Sequence, residues 1–235
     1  MQYLRTTITK AEQKVINGLV AHYVKNQSLL EVILKQLSDA ILGSQKLMAH
    51  VHSTKGRLKD PAHLEDKLLR KLREAKLKKR KFTISEKNLL YRINDLIGFR
   101  ILHLHTEQII AIDRDLRAVF DEYKFPLFEN PKARTWDDET RGFFQGIGIR
   151  TVKSPTLYTS VHYVVASNSS TKATCEIQVR TLAEELWGEV DHSMNYPHEC
   201  AVSSCREQIK VLARVTSSCS RLVDSIFRSA KSGNS

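Results

Sequence analysis

Two short stretches of this 235-residue chain hold residue types able to do chemistry. In INDLIGFRIL, residues 93 to 102, the carboxylate Asp95 precedes Gly98 and Arg100 where a helical pattern gives way to an apolar strand. In CEIQVRT, residues 175 to 181, Cys175, Ile177 and Val179 alternate with Glu176, Gln178 and Arg180. Successive strand side chains point to opposite faces, so one face belongs in a core and the other presents a base, an amide and a cation. A neighbouring run, YTSVHYVVAS, puts Ser160 and His162 on one parity, with Tyr163 and Val165 on the other. The polar turn NSSTK joins the two runs as a hairpin. An ordinary solvent-facing sheet surface is the plainer account of that polar face. The mixture of carboxylate, imidazole, amide and guanidinium argues for a site.

Cations stand ready nearby. GRLKDPAHLEDKL supplies Arg57, Lys59 and Lys67, and Arg100 follows Asp95. Two carboxylates to hold Mg²⁺ and several cations to neutralise phosphate oxygens are what phosphoryl-type transfer needs. The chain has no G-x-x-x-x-G-K-[ST] loop and no protein-kinase signature set, which excludes the usual ATP-binding folds.

The elements that must position these residues can be read from hydrophobic period. Residues 8 to 50 form two helices broken at Asn26 and Ser28, with apolar stripes that pack in a core. A basic turn with Gly56 and Pro61 leads into another helix, which Asp60 caps. Residues 86 to 96 read as helix, 99 to 105 as strand and 107 to 123 as an amphipathic helix. Residues 124 to 157 show no sustained period and are expected to form one long irregular connection, with room for a short hairpin inside it. After the hairpin of 158–167 and 173–181, Thr181 and Glu184 form a capping box opening LAEELWGEVDHSMNY, which Pro197 follows. A last helix, about 204 to 229, has Ile209, Leu212, Ala213, Leu222, Val223 and Ile226 on one side. Helices and strands alternate without a strict βαβ run, which predicts an α+β fold.

Composition sets the outer bounds. The chain is 41% hydrophobic and 27% charged, as expected of a globular protein. No apolar run approaches the ~20 residues that span a bilayer, so no membrane association is expected. The N-terminus lacks an apolar signal region, and four cysteines show no paired framework, so a reducing cytoplasm is the expected compartment. A net charge of +11 implies polyanionic company. Much of it sits in RKLREAKLKKRKF, residues 70 to 82, which reads equally as a solvated basic helix end or a nucleic-acid patch. His198, Cys200 and Cys205 lack zinc-ligand spacing and are read as a histidine and free thiols. His192 with Glu185 and Glu189 is expected to hydrogen-bond beside the site, and Trp187 to lie in the core.

In order along the chain, GRLKDPAHLEDKL, INDLIGFRIL, YTSVHYVV and CEIQVRTLAEELWGEVDHSMNY resemble the synthetase domain of the RelA/SpoT alarmone synthetases. The likeness runs from about residue 50 to 197. It implies a small, synthetase-only form, with N-terminal helices over 1–50, the synthetase domain over 51–200 and a C-terminal helix and tail over 201–235. The implied fold is a nucleotidyltransferase-like mixed sheet of about five strands flanked by helices. The implied activity is a cytoplasmic, stringent-response pyrophosphokinase that moves the β,γ-diphosphate of ATP to the 3′-hydroxyl of GDP or GTP, making (p)ppGpp.

Carried over by position, the resemblance makes Asp95 a Mg²⁺ ligand and Glu176 the second metal ligand, the general base, or both. Arg57 and Arg100 would sandwich the adenine, and Lys59 and Lys67 would meet the phosphates. Tyr158 would stack on the acceptor base beside His162, with Lys153, Gln178 and Arg180 completing the acceptor side. Relatives commonly carry Pro-Lys and Asn-Gly before that tyrosine, whereas this chain has VKSPTLY. The departure leaves other acceptors open, namely adenine nucleotides or the 3′ end of tRNA, and a catalytically silent nucleotide or RNA binder stands as a third reading. Small relatives also imply a homo-oligomer.

Overall fold

The structure, a computed structural model, describes residues 7–195 and 200–233; Pro197 and His198 lie outside them. Two helices open it, α1 (Lys10–Lys25) and α2 (Gln27–Gly43), followed by the single turn α3 (Gln45–Met48). Thr9 and Glu12 form a reciprocal capping box at the start of α1, and Asn26 ends it, where the sequence marks the break.

Six strands form one sheet: β1 (Ser53–Leu58), β2 (Ile97–His103), β3 (Leu127–Thr135), β4 (Arg150–Lys153), β5 (Ser160–Ala166) and β6 (Thr174–Thr181). Their order is β1-β2-β6-β5-β3-β4, with β2–β6 and β3–β4 parallel and the other pairs antiparallel. The remaining helices are α4 (Pro61–Leu77), α5 (Leu89–Arg92), α6 (Ile109–Glu122), α7 (Asp138–Gly146), α8 (Leu182–Asn195) and α9 (Ser203–Ser232). This is the expected α+β architecture, with one strand more than anticipated.

Four sequence expectations are corrected. The basic turn around Gly56 is an edge strand, β1, whose outward residues are polar and so give no apolar alternation. The helix expected over 86 to 96 shrinks to Leu89–Arg92, because residues 93 to 96 turn the chain into β2, which itself begins two residues earlier than expected. The connection 124 to 157 is not irregular but holds β3, α7 and β4; the buried positions of β3 include Pro131, Ala133 and Thr135. On α9 the apolar side divides. Ile209 and Ala213 are buried, but further along the buried face is polar, Thr216, Ser220 and Asp224, while Leu222 and Ile226 point outward. Asp224 decides that docking, accepting from the Glu107 N–H at 3.0 Å and pairing with His105 at 2.9 Å.

The core lies behind the sheet. Phe99, Ile101, Val161, Tyr163, Ile177 and Val179 meet buried residues of α1, α2, α4 and α6 in one cluster, so the N-terminal helices share the core of the sheet. Gly56 permits the close packing of α2 on β1, since a methyl group there would lie 3.1 Å from Leu34. A smaller cluster of Trp187, Ile209 and Ala213 joins α8 to α9. Among the described residues no helix is long and apolar enough to cross a membrane, and all four cysteines are free.

Candidate functional site

The front of the sheet carries the polar residues in cross-strand rows. Strand register places Lys55, Arg100, Gln178 and His162 in one row, and Arg57, Gly98, Glu176 and Val164 in the next. Gly98 therefore stands between Arg57 and Glu176 on the site face, and its missing side chain leaves that floor open. Asp95 arrives from the turn just before β2, and it shares a small pocket with Arg57, Gly98, Arg100, Glu176 and Gln178.

Each carboxylate is held differently. Lys59 and Lys67 grip Asp95 at 3.1 and 2.7 Å, Lys67 coming from α4, whose start is fixed by Asp60 capping Ala62 and His63. Burial works to raise the Asp95 carboxyl, but the two lysines outweigh it and hold it below its ordinary value. Each Asp95 oxygen thus faces one lysine, Oδ1 facing Lys67 and Oδ2 accepting from Lys59. Glu176 accepts from Gln178 at 3.0 Å and faces His162 Nδ1 at 2.9 Å. Here too burial acts upward and His162 overrides it, so the group sits low and ionised. The other ring nitrogen of His162 lies 3.3 Å from the Tyr158 hydroxyl. Burial pushes that hydroxyl up, and the hydroxyl also donates to Gln178 Oε1 at 3.5 Å.

Beside this pocket, and sharing Arg57, Arg100 and Gln178 with it, opens a cleft of about 390 Å³. Helix α8 forms its far wall with Trp187, Gly188, Glu189 and His192. Arg100 donates to Glu185 and Glu189, both at 2.5 Å, and the buried Arg180 pairs with Glu185. These contacts grip the edge of the Arg100 guanidinium, and such an edge-held group keeps flat faces for stacking. The Arg180 guanidinium lies over the Tyr158 ring, 5.6 Å from its centre, and the Trp187 ring lies 6.5 Å from it at a tilt of 49°. Trp187 is anchored in turn by its N–H to the Ile209 carbonyl at 3.0 Å, which ties the cleft wall to α9.

Asp95, Glu176, Arg57, Lys59, Lys67, Arg100, Tyr158, His162, Gln178 and Arg180 thus converge. Lys153 does not join them: it is exposed at the end of β4, the outermost strand, and lines neither the pocket nor the cleft. Residues the sequence reading left out of the site also line the cleft, among them Lys55, Thr156, Gly188 and Asp191, and Trp187 is both core and wall. The only forewarning is an unneeded glycine inside the α8 pattern. Among the described residues no group of three or more metal-ligating side chains exists. Mg²⁺ is commonly bound by one or two carboxylates plus substrate phosphates and water, so Asp95 and Glu176 form a donor set of the right hardness.

A sequence model of a region found in RelA/SpoT proteins matches residues 56–201, more than half of the chain, and the chain belongs to that family. No curated protein matches it. Among solved structures, the small alarmone synthetase 1 from Bacillus subtilis bound to its product pppGpp superposes with a TM-score of 0.58 at 19% identity, covering 93% of this chain and 98% of that one. A GTP pyrophosphokinase family protein from Streptococcus pneumoniae gives 0.55 at 15% identity, covering 96% and 97%. The same Bacillus subtilis synthetase bound to AMPCPP gives 0.51 at 17% identity, covering 92% and 97%. At these identities the likeness establishes a shared fold.

Proposed function

We propose that the chain is a Mg²⁺-dependent pyrophosphokinase that transfers the β,γ-diphosphate of ATP to the 3′-hydroxyl of GDP or GTP. The observation that carries this reading is the parallel pairing of β2 with β6, which brings Asp95 and Glu176 into one pocket beside Lys59 and Lys67. Asp95 and Glu176 would hold Mg²⁺, which would neutralise charge on the transferred phosphates. Arg57 and Arg100 flank the place for the donor base, and Lys59 and Lys67 meet its phosphates. The acceptor base stacks on Tyr158, with His162, Gln178 and Arg180 supporting it. The 3′-oxygen bonds to the β-phosphorus, the bond from that phosphorus to the oxygen bridging the α-phosphate breaks, and AMP leaves. Glu176, low and ionised, takes the hydroxyl proton. Positioning and electrostatics supply most of the acceleration.

One observation favours a second acceptor class. Lys153, expected on the acceptor side, stands outside the cleft, and tRNA 3′ ends or adenine nucleotides are the alternative acceptors. Incubating the protein with ATP labelled in its β,γ-diphosphate and, in turn, GDP, GTP, ADP and deacylated tRNA decides which gains label. Label on GDP or GTP with stoichiometric AMP supports the leading reading; no label on any acceptor overturns both. Self-association, also proposed, would use the outward stripe of α9, Val211, Val215, Leu222 and Ile226, and light scattering on the full chain tests it.

A further inference from the structure

A second concavity, about 530 Å³, has Asn94, the residue before Asp95, on its wall. Helix α4 contributes Lys71, the segment after it Lys78, Arg80 and Lys81, and α5 contributes Arg92. Only one carboxylate, Glu74, lines the same space. Among the described residues none of these five cations forms an ion pair, although Arg92 donates to the Thr83 hydroxyl at 3.1 Å. Such a cluster repels itself and attracts an anion. Burial, reinforced by Lys67, already depresses Lys71.

The positive end-turn of α4 has a local explanation, because cations are favoured beside the last carbonyls of a helix. That accounts for Lys78, Arg80 and Lys81 but not for Lys71, inside the helix, nor for Arg92 from another element. It also leaves the aromatic lining unexplained. Phe82, Tyr91 and Phe128 border the groove, and Phe128 stands 51% exposed on β3. Cations that track phosphates combined with aromatic faces that stack bases are the two parts of a nucleotide-binding surface. The volume also suits a nucleotide-sized ligand. The groove borders the catalytic pocket, since Asn94 on its wall precedes Asp95 and Lys71 lies one turn beyond Lys67 on α4.

We propose that this groove is a further binding site for a nucleotide unit, its phosphates on Lys71, Lys78, Lys81 and Arg92 and its base against Phe128 or Tyr91. The unit is either a free nucleotide or one nucleotide of a single-stranded RNA. The site does not depend on the reaction proposed above, because it is tested by binding without turnover.

The test uses the full chain carrying Arg57→Ala, Arg100→Ala and Tyr158→Ala, which removes the side chains proposed to hold the donor and the acceptor base in the cleft. GDP and AMPCPP are titrated by calorimetry, and a ten-nucleotide oligouridylate by fluorescence anisotropy. Lys78→Glu with Lys81→Glu, both at exposed positions, should weaken at least one probe tenfold or more with an unchanged melting temperature. Phe128→Ala, also exposed, should weaken the same probe several-fold. Loss confined to GDP or AMPCPP assigns a free nucleotide, and loss confined to the oligomer assigns RNA. The proposal is overturned by no binding to the cleft-disabled chain, or by affinities that stay within twofold in the charge-reversed protein. Sensitivity to charge without any response to Phe128→Ala overturns it as well, leaving only diffuse attraction.

Discussion

Arg180 lies so close to Gly188 that a methyl group on that glycine would sit 2.5 Å from the guanidinium. The glycine interrupts α8 where the helix must come down onto the sheet. The arginine, 4% exposed, cannot swing away without leaving Glu185.

Gly188→Ala therefore sets two effects against each other. Alanine gains about 1 kcal/mol of helix propensity, while overpacking a filled site loses about 1–3 kcal/mol. The expected result is a melting temperature lowered by a few degrees or unchanged, with a clear fall in activity as Arg180 is pushed from Tyr158. A variant that is more stable and fully active would show that α8 can lift without disturbing the cleft.

Asp95→Asn and Glu176→Gln keep shape and remove charge. Each should lower turnover by about 10²–10⁴-fold, the range for losing a positioned acid–base or charge-stabilising group. Asp95→Asn should also raise the Mg²⁺ concentration giving half-maximal rate, measured by magnesium titration at saturating nucleotide. Near-wild-type rates in both proteins would remove these carboxylates from the reaction.

Glu184 and His103 make opposite contributions to stability as pH changes. Burial raises Glu184 from 4.5 to about 7, so the folded state holds its proton more tightly and stability falls as pH rises across that window. Burial lowers His103 from 6.5 to about 4, so the unfolded state binds the proton more tightly and stability rises from pH 4 to 6.5. Each shift corresponds to about 3 kcal/mol at full size. In wild type the two offset each other between pH 4.5 and 6.5. In Glu184→Gln the downward slope disappears, so the variant should gain several degrees on wild type between pH 4.5 and 7. Calorimetric melting curves that run parallel across this range would show that Glu184 is not protonated in the folded protein.

In the proposed reaction Tyr158 separates donor from acceptor. Removing a base-stacking ring costs about 1–3 kcal/mol, so Tyr158→Ala should weaken acceptor use by one to two orders of magnitude while AMPCPP binding changes little. Tyr158→Phe keeps the ring and loses only the hydroxyl contacts to His162 and Gln178, and should be mild. Equal damage to both substrates, with a lowered melting temperature, would make Tyr158 a packing residue.

The residues that could be read in advance share a feature: their strands alternate strictly. CEIQVRT states its two faces outright, because β6 is buried behind and polar in front. What stayed hidden lies at the margins of the sheet. In β1, STKGRL has nearly every side chain at least partly solvated, so no apolar period exists to detect. In β3, buried Pro131, Ala133 and Thr135 are small or polar, and the register slips twice between Leu127 and Lys132. The site was legible as residue types, and its far wall was not. Glu185 and Glu189 declared a helix face, but only folding shows that this face locks Arg100.

The place of β6 has a consequence for how the protein is born. It is the last strand to leave the ribosome, yet it fills the centre of the sheet, between β2 and β5. Until residues 174–181 emerge, the nascent chain holds only β1–β2 and β5–β3–β4, with two unpaired edges open to wrong partners. Glu176 is itself on the missing strand. A fragment that ends before residue 174 therefore lacks one of the two carboxylates of the candidate site. The same stroke that zips the two half-sheets together completes the candidate site.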